Sequence, residues 1–323
     1  MRYILGIDIG TTAIKGAVIG EDGKIYGTKT SEYPLTTLPT GEVEADLQLY
    51  INAFTQSIKG AVEDAKVDVA DIKCVGFSST AETCVFLDKY NEPLCKVIAW
   101  MDTRATKEAE YLTAHFDKKD IINKVGFDGI YAIHPVSKIL AVKNKNPEIF
   151  EKTRMFAQIK DYFIYRLTGE YYTDHSTASD HGFFDITNRC YWNEMLEFTG
   201  IKEEYLPKLV EPGTELGTIS REAALEFGLN PETKINVGAF DQGCGAIGAG
   251  NTKPGIASES TGSALVTVAT IDALNPDSQG DVPTLCSGIP GKYMYQPYCT
   301  GSIIMKWYRD IFCEAEKMVE EQT

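Results

Sequence analysis

The sequence predicts a mixed α/β fold whose first sheet opens as an antiparallel meander, and three observations carry that reading. Residues 3–19 (YILGIDIGTTAIKGAVI) set two apolar β-rich runs around Gly10, Thr11 and Thr12, and residues 24–33 continue them as a third strand. Strand-like and helix-like segments then alternate, which points to a mixed α/β domain, whereas a simple doubly wound fold would not start with a meander. Much later, two strand-like pieces at 256–259 and 264–269 are again joined by a Thr/Gly turn, Ser260-Thr261-Gly262-Ser263.

The elements follow from local pattern. Residues 20–23 (GEDG) read as a turn, and residues 35–44, flanked by Pro34 and containing Pro39 and Gly41, as a loop. Asp46 begins a helix in which Leu47, Tyr50, Ile51, Phe54, Ile58 and Val62 recur at helical spacing. Residues 72–78 (IKCVGFS) read as a buried strand, 83–87 as another and 88–93 as a turn. From Thr106 helical periods dominate, at 108–116, 137–144 and 161–167. Residues 171–185 (YYTDHSTASDHGFFD) are polar and turn-rich, an irregular segment bordering a cleft, with a surface loop as the default. A Pro/Gly-punctuated connector at 206–217, a short helix over Arg221–Phe227 and a strand over Lys234–Phe240 lead straight into Asp241. The small-residue run 242–250 (QGCGAIGAG) suits a helix packed close to another backbone. Few strands are expected after the second turn, and 301–321 reads as an amphipathic helix.

The 323 residues allow roughly two domains of about 100–200 residues each. With 43% hydrophobic and 24% charged residues the chain is globular in composition, neither disordered nor membrane-spanning. A net charge of −15, with no Lys/Arg stripe to offset it, argues against nucleic acid and anionic membranes as partners. A local phosphate site stays compatible. The eight cysteines, scattered without a CxxC pair, read as reduced thiols. The apolar run before Asp8 is too short for a signal segment, and no later one approaches the roughly 20 apolar residues of a membrane span, so a cytoplasmic location is expected. The four histidines lack metal-ligand spacing, and a homodimer is compatible with the sequence.

The opening turn has a chemistry of its own. Asp8 lies near the end of the first strand, Gly10 lets a ligand approach the backbone, Thr11 and Thr12 offer hydroxyls and amides, and Lys15 adds a positive charge. These residues suit an anionic phosphate, and equally an ordinary hairpin turn. Asp241, placed after a strand, is on its own a natural helix cap.

Taken together, Asp8-Ile9-Gly10-Thr11-Thr12 with Lys15, Phe240-Asp241-Gln242 with the glycine-rich run after it, and Ser260-Thr261-Gly262-Ser263 resemble the FGGY carbohydrate kinase family. The likeness extends to Ala99-Trp100-Met101-Asp102-Thr103-Arg104, to Lys160-Asp161-Tyr162 with Leu167-Thr168-Gly169-Glu170, and to Asp174-His175-Ser176 with Ala178-Ser179; order and spacing make the combination specific. The resemblance implies two RNase H-like (actin-like ATPase) domains, ATP and Mg2+ in the cleft between them, and phosphoryl transfer to a sugar or polyol hydroxyl. By that resemblance Gly10, Thr11, Thr12 and Lys15 face the transferring phosphate and Asp8 helps to hold hydrated magnesium. Thr261 and Gly262 would contact the phosphates from the opposite domain. Asp241 would be the catalytic base: a free carboxylate, with a pKa of about 4, cannot ionise an alcohol beforehand, so it would orient the hydroxyl and take its proton as the bond to phosphorus forms.

On the acceptor side, Ala81-Glu82 occupies the position where glycerol kinases of the family carry an Arg-Glu pair and xylulokinases a Met-His pair. Glu82 would accept hydroxyl hydrogen bonds. Gln242 beside Asp241 is the glycerol-kinase choice, while the missing Arg speaks against glycerol. Trp100, Asp102 and Arg104 look more like pentulose and gluconate kinases: Trp100 would wall an apolar sugar face, and Asp102 with Arg104 would bind hydroxyls or support the loop. His134, just before Pro135, is expected to reach the sugar pocket, and His175 and His181 to be structural. Residues 1–250 would form the first, sugar- and phosphate-binding domain. Residues 251–323 would be only the opening of the second, which predicts weak ATP affinity and little turnover. Two other classes stay open, an actin-like ATPase without a sugar substrate and a non-catalytic sugar-binding fragment.

Overall fold

In β1 (Tyr3–Ile9) the side chains of Leu5, Ile7 and Ile9 are buried, while Gly6 and Asp8 take the opposite face, the period-2 alternation of a strand. β1 pairs antiparallel with β2 (Ala13–Gly20), and β2 with β3 (Ile25–Glu32), completing the meander. α1 (Leu47–Ala65) buries Leu47, Tyr50, Phe54, Ile58 and Ala61 at helical spacing and ends where Lys66 turns left-handed at φ 52°. β4 (Ile72–Ser79) lies parallel to β1 on the side away from β2. The computed structural model describes residues 1–261, 264–300, 308 and 311–313.

After α2 (Pro135–Lys145) and α3 (Ile159–Thr168), the chain returns to the first sheet with β5 (Glu215–Thr218) and β6 (Lys234–Phe240), then enters α4 (Asp241–Gly248). The sheet order is β5-β6-β4-β1-β2-β3, with β6, β4 and β1 parallel and the flanks antiparallel. Its core centres on Phe54, which stacks on Phe163 at 3.9 Å and meets Phe227 edge-on at 5.4 Å. Burying one such side chain contributes about 1.5–3 kcal/mol. A second sheet, from Thr36–Thr37, Val43–Ala45, Val97–Ile98, Cys84–Leu87 and Met155–Gln158, supports the loops after β4. A third follows α4: β7 (Ala257–Thr261), β8 (Ala264–Ile271), β9 (Thr284–Cys286), β10 (Tyr293–Tyr295) and β11 (Tyr298–Thr300), all antiparallel.

Two expectations are corrected. The polar segment 171–185 is not a surface loop; it is almost wholly buried and contains the strand Tyr172–Asp174 and the helical turn His175–Ala178. Part of its polar content is paired: Lys160 donates to Asp174 and to the Thr177 hydroxyl, and Asp174 accepts from the Ser176 amide at 2.9 Å, while Thr173 Oγ1, Asp180 Oδ2 and the His181 ring nitrogens are buried without a hydrogen-bond partner. Four strands rather than a few follow the second turn, β8 and three more that are only three residues long each and so almost without periodic signal. The helices Lys118–Val125, Pro147–Lys152 and Asn193–Thr199 were not anticipated either. The expected helix at 301–321 lies mostly outside the described residues. All eight cysteines are free thiols, and no described helix is long and apolar enough to cross a membrane.

Candidate active site

The parallel strands β1, β4 and β6 finish at one edge, with Ser79 paired to Ile9 on one side and to Phe240 on the other. Ligands collect at such carboxyl ends, where the strands hand over to loops. Register decides what stands there. Asp8 lies between its cross-strand neighbours Lys15 and Ser78, accepting from Ser78 Oγ at 2.9 Å and from Lys15 Nζ at 3.4 Å. The ion pair is well exposed to water, so it contributes at most about 1 kcal/mol and is easily exchanged.

Asp241 joins Asp8 through a bulge in β6. Pairing with β4 slips between Asn236 and Ala239, where Gly238 is left-handed at φ 68° and donates its N–H to Asn236 Oδ1. A Cβ at Gly238 would lie 1.7 Å from the Phe77 carbonyl oxygen, so only glycine fits. Asp241 is the first residue of α4, one place inside the cap at Phe240. Its Oδ1 is buried with no hydrogen-bond partner. Burial, and then the charge of Asp8, push its carboxyl up to about 7, against a lowering pull from Gln242.

A cavity of about 420 Å³ opens between Asp8, Ser78, Asp241 and Gln242 on one side and residues 258–260 of β7 on the other. Thr261 ends β7 at this cleft; Gly262, its expected companion on the phosphates, lies outside the described residues. The opening turn is braced from three directions: the Gly10 N–H donates to the Ala13 carbonyl at 3.0 Å, the Tyr33 hydroxyl donates to the Gly10 carbonyl, and Trp100 Nε1 donates to Thr11 Oγ1 at 2.9 Å. Thr12 is exposed at its tip, its carbonyl accepting from the Tyr33 amide.

A phosphate and its metal fit these residues. A Cβ on Gly10 would lie 3.1 Å from the Ala13 oxygen and 3.9 Å from Asp8 Oδ2, so glycine leaves the approach to Asp8 open. Among the described residues no group of three His, Cys, Asp or Glu could hold a metal ion. Magnesium does not need one, because it keeps several waters and takes one or two carboxylates beside phosphate oxygens.

The segments expected on the acceptor side are held together by a lysine that sequence reasoning missed. Lys138 of α2 is fully buried, and its Nζ donates to the carbonyls of Glu82 at 2.7 Å, Ala99 at 2.9 Å and Trp100 at 3.0 Å, gathering two loops. Glu82 is left-handed at φ 60°, a conformation that costs a non-glycine residue about 1–3 kcal/mol and is often kept at functional positions. Burial raises its carboxyl to about 8, Lys138 opposes this and Asp241 adds to it. Asp180, also missed, follows the helical turn His175–Ala178. It is buried, and burial together with the charges of Glu82 and Asp241 holds its pKa well above the usual carboxylate range.

Of three expected acceptor ligands, Asp102 and Arg104 are engaged elsewhere, while His134 is engaged through Nδ1 only, its Nε2 being buried without a hydrogen-bond partner. Asp102 is fully buried; its Oδ2 accepts from the Val43 amide at 2.6 Å, and Arg104 grips both of its oxygens at 2.9 and 2.7 Å. Arg104 also reaches Glu44 at 3.1 Å. The pair therefore clamps the loop rather than offering hydroxyl ligands. His134 caps α2, accepts from the Tyr131 amide at 3.2 Å through Nδ1 and packs edge-on against Phe127 at 4.9 Å. Burial, then Lys138, lower it to about 3, so it is neutral, and no described hydrogen bond joins it to Glu82, Trp100 or Asp241.

A meander-led mixed sheet with a braced strand turn, facing the strand pair β7–β8 across a cleft, defines the actin-like ATPase fold. The pattern of the FGGY family of carbohydrate kinases, N-terminal domain, matches residues 3–248, and the chain belongs to that family. It is similar to the xylulose kinase of Bacillus subtilis (strain 168), 30% identical over 284 residues that are 87% of this chain and 56% of that one. It is 29% identical over 321 residues to the gluconokinase of the same organism, covering 97% of this chain and 61% of the relative. The crystal structure of ligand-bound xylulose kinase from Lactobacillus acidophilus superposes with a TM-score of 0.89 at 27% identity, over 96% of this chain and 63% of that one.

Proposed function

We propose that this chain forms the acceptor-binding and phosphate-binding part of an ATP-dependent kinase that phosphorylates a hydroxyl of a sugar, sugar acid or polyol, a pentulose such as xylulose being the type. The observation that carries this reading is the buried Asp241 carboxyl beside Asp8 in the cleft, its Oδ1 without a hydrogen-bond partner. Residues 1–250 hold the acceptor, and residues from 251 onward belong to the opposing domain.

The turn at Gly10, Thr11 and Thr12 receives the transferring phosphate, Thr261 approaches from the opposite wall, and Lys15 moves from Asp8 to a phosphate oxygen. Asp8 would help to hold hydrated magnesium, which would supply charge neutralisation on the phosphates. Asp241 accepts a hydrogen bond from the acceptor hydroxyl. As that oxygen bonds to phosphorus, the bond to the ADP oxygen breaks and the proton passes to Asp241. A carboxyl raised to about 7 is a stronger base than a free one. Glu82 and Trp100 line the acceptor end. The test is an ADP-release screen of the full gene product against pentuloses, gluconate and three- to five-carbon polyols. At least one acceptor is expected to raise ADP release about tenfold or more above background; uniformly background rates would overturn the reading.

A further inference from the structure

We propose that Trp100 is a positioning residue for phosphoryl transfer, its indole N–H setting the Thr11 hydroxyl as a hydrogen-bond donor to the transferring phosphate. The inference rests on the kinase reading and gives Trp100, beside its place at the acceptor end, a second task at the phosphate turn.

The contact is one bond of fixed polarity. Trp100 Nε1 lies 2.9 Å from Thr11 Oγ1. An indole nitrogen can donate but not accept, so the hydroxyl oxygen accepts here and its own proton points elsewhere. Among the described residues that proton has no acceptor within the protein. The other bonds to the turn reach its main chain: the Tyr33 hydroxyl donates to the Gly10 carbonyl, the Tyr33 amide to the Thr12 carbonyl at 2.9 Å, and the Thr80 amide to the Ile9 carbonyl at 3.0 Å. Thr11 is half-buried, so a ligand can approach it. An ionised phosphate oxygen offers lone pairs, and a hydroxyl whose oxygen is engaged and whose proton is free matches it. Accepting from the indole also polarises the O–H and strengthens it as a donor.

The indole is aimed from a rigid base. An ammonium has three N–H donors, and Lys138, fully buried, places them on the carbonyls of Glu82, Ala99 and Trp100. The Ala99 amide donates to the Val43 carbonyl at 2.9 Å and the Asp102 amide to the Ala99 carbonyl at 3.1 Å. Asp102 is in turn gripped by the Val43 amide and by Arg104. The main chain on both sides of Trp100 is therefore pinned, and a tryptophan has few side-chain torsions left to settle. A donor fixed before the phosphate arrives costs no reorganisation during transfer, which is what phosphoryl transfer asks of its surroundings.

The test is steady-state kinetics of the full gene product, with an acceptor that supports turnover, for Trp100→Phe, Thr11→Val and the double variant. Phenylalanine keeps an aromatic face and lacks the N–H; valine keeps the branched shape and lacks the hydroxyl. Each single variant is expected to lower kcat about tenfold with the acceptor KM changed by no more than about threefold. In the Thr11→Val background, Trp100→Phe is expected to cost less than about twofold further, because the two side chains act as one unit. Thr11→Ser, which keeps the hydroxyl, is expected to retain most of the turnover. An equal loss from Trp100→Phe in both backgrounds overturns the proposal, since a packing role has no need of the Thr11 hydroxyl. A raised acceptor KM with kcat intact also overturns it. So does a Thr11→Val kcat equal to that of the unmodified protein, whether or not Trp100→Phe folds. Background turnover of every acceptor by the unmodified protein counts instead against the kinase reading itself.

Discussion

A carboxyl that stays protonated up to about pH 7 gates any reaction in which it must accept a proton. Asp241 is such a group, raised first by burial and then by the neighbouring charge of Asp8. Because the competent form is the deprotonated one and the pKa is raised, competence is lost as pH falls through about 7 and is full above it. The acid limb of kcat/KM is therefore expected to fall about tenfold per pH unit below about 7 and to level off above. A profile flat from about pH 5.5 to 8 would contradict the role. At this scale Asp8 and Asp241 were legible in the sequence, since both sit at strand ends beside glycine-containing stretches. Lys138 and Asp180 were not. A lysine within a helical pattern reads as solvent-facing, and only the arrival of residues 82, 99 and 100 gives its ammonium three buried acceptors. The Asp102–Arg104 pair fitted hydroxyl binding and loop support equally until Val43, 59 residues earlier, supplied the amide that commits Asp102 to support.

Placement of Asp241, the proposed base, depends on an irregularity in one strand. Without the bulge at Gly238, β6 would stay in register with β4 and deliver residue 241 along a different direction. Gly238→Ala is expected to destabilise the protein by about 3 kcal/mol or more, because a Cβ there meets the Phe77 carbonyl at 1.7 Å and the backbone is left-handed. Turnover should drop as well, although no reacting group is removed. Chemical denaturation curves matching those of the unmodified protein would count against this role for the bulge. Helices and strands with one apolar face, such as α1 and β1, were readable because burial imposes a period on them. The segment 171–185 escaped because Asp174, Ser176 and Thr177 are buried by pairing among themselves and with Lys160, which leaves a loop-like composition in a packed element. The short strands of the third sheet escaped because three residues cannot display an alternation.

At the scale of the whole molecule, a chain of net charge −15 gathers the groups proposed to face phosphate at one edge of one sheet, next to the Asp241 carboxyl proposed to face the acceptor. The mixed α/β class and the strand pair β7–β8 were legible because 256–269 repeats the local composition of the opening hairpin. The bond from Trp100 to Thr11 was not, because it joins segments 89 residues apart, which no local pattern encodes. Asp241 lies where the two functions meet, at the base of the cavity between the first sheet and β7. The most direct measurement is therefore turnover and nucleotide affinity of the full gene product carrying Asp241→Asn. A proton acceptor that leaves the phosphate turns untouched predicts a kcat lower by about 10²–10⁴-fold with an ATP Kd changed by no more than about twofold. Unchanged kcat, or loss of ATP binding in parallel with activity, would contradict it.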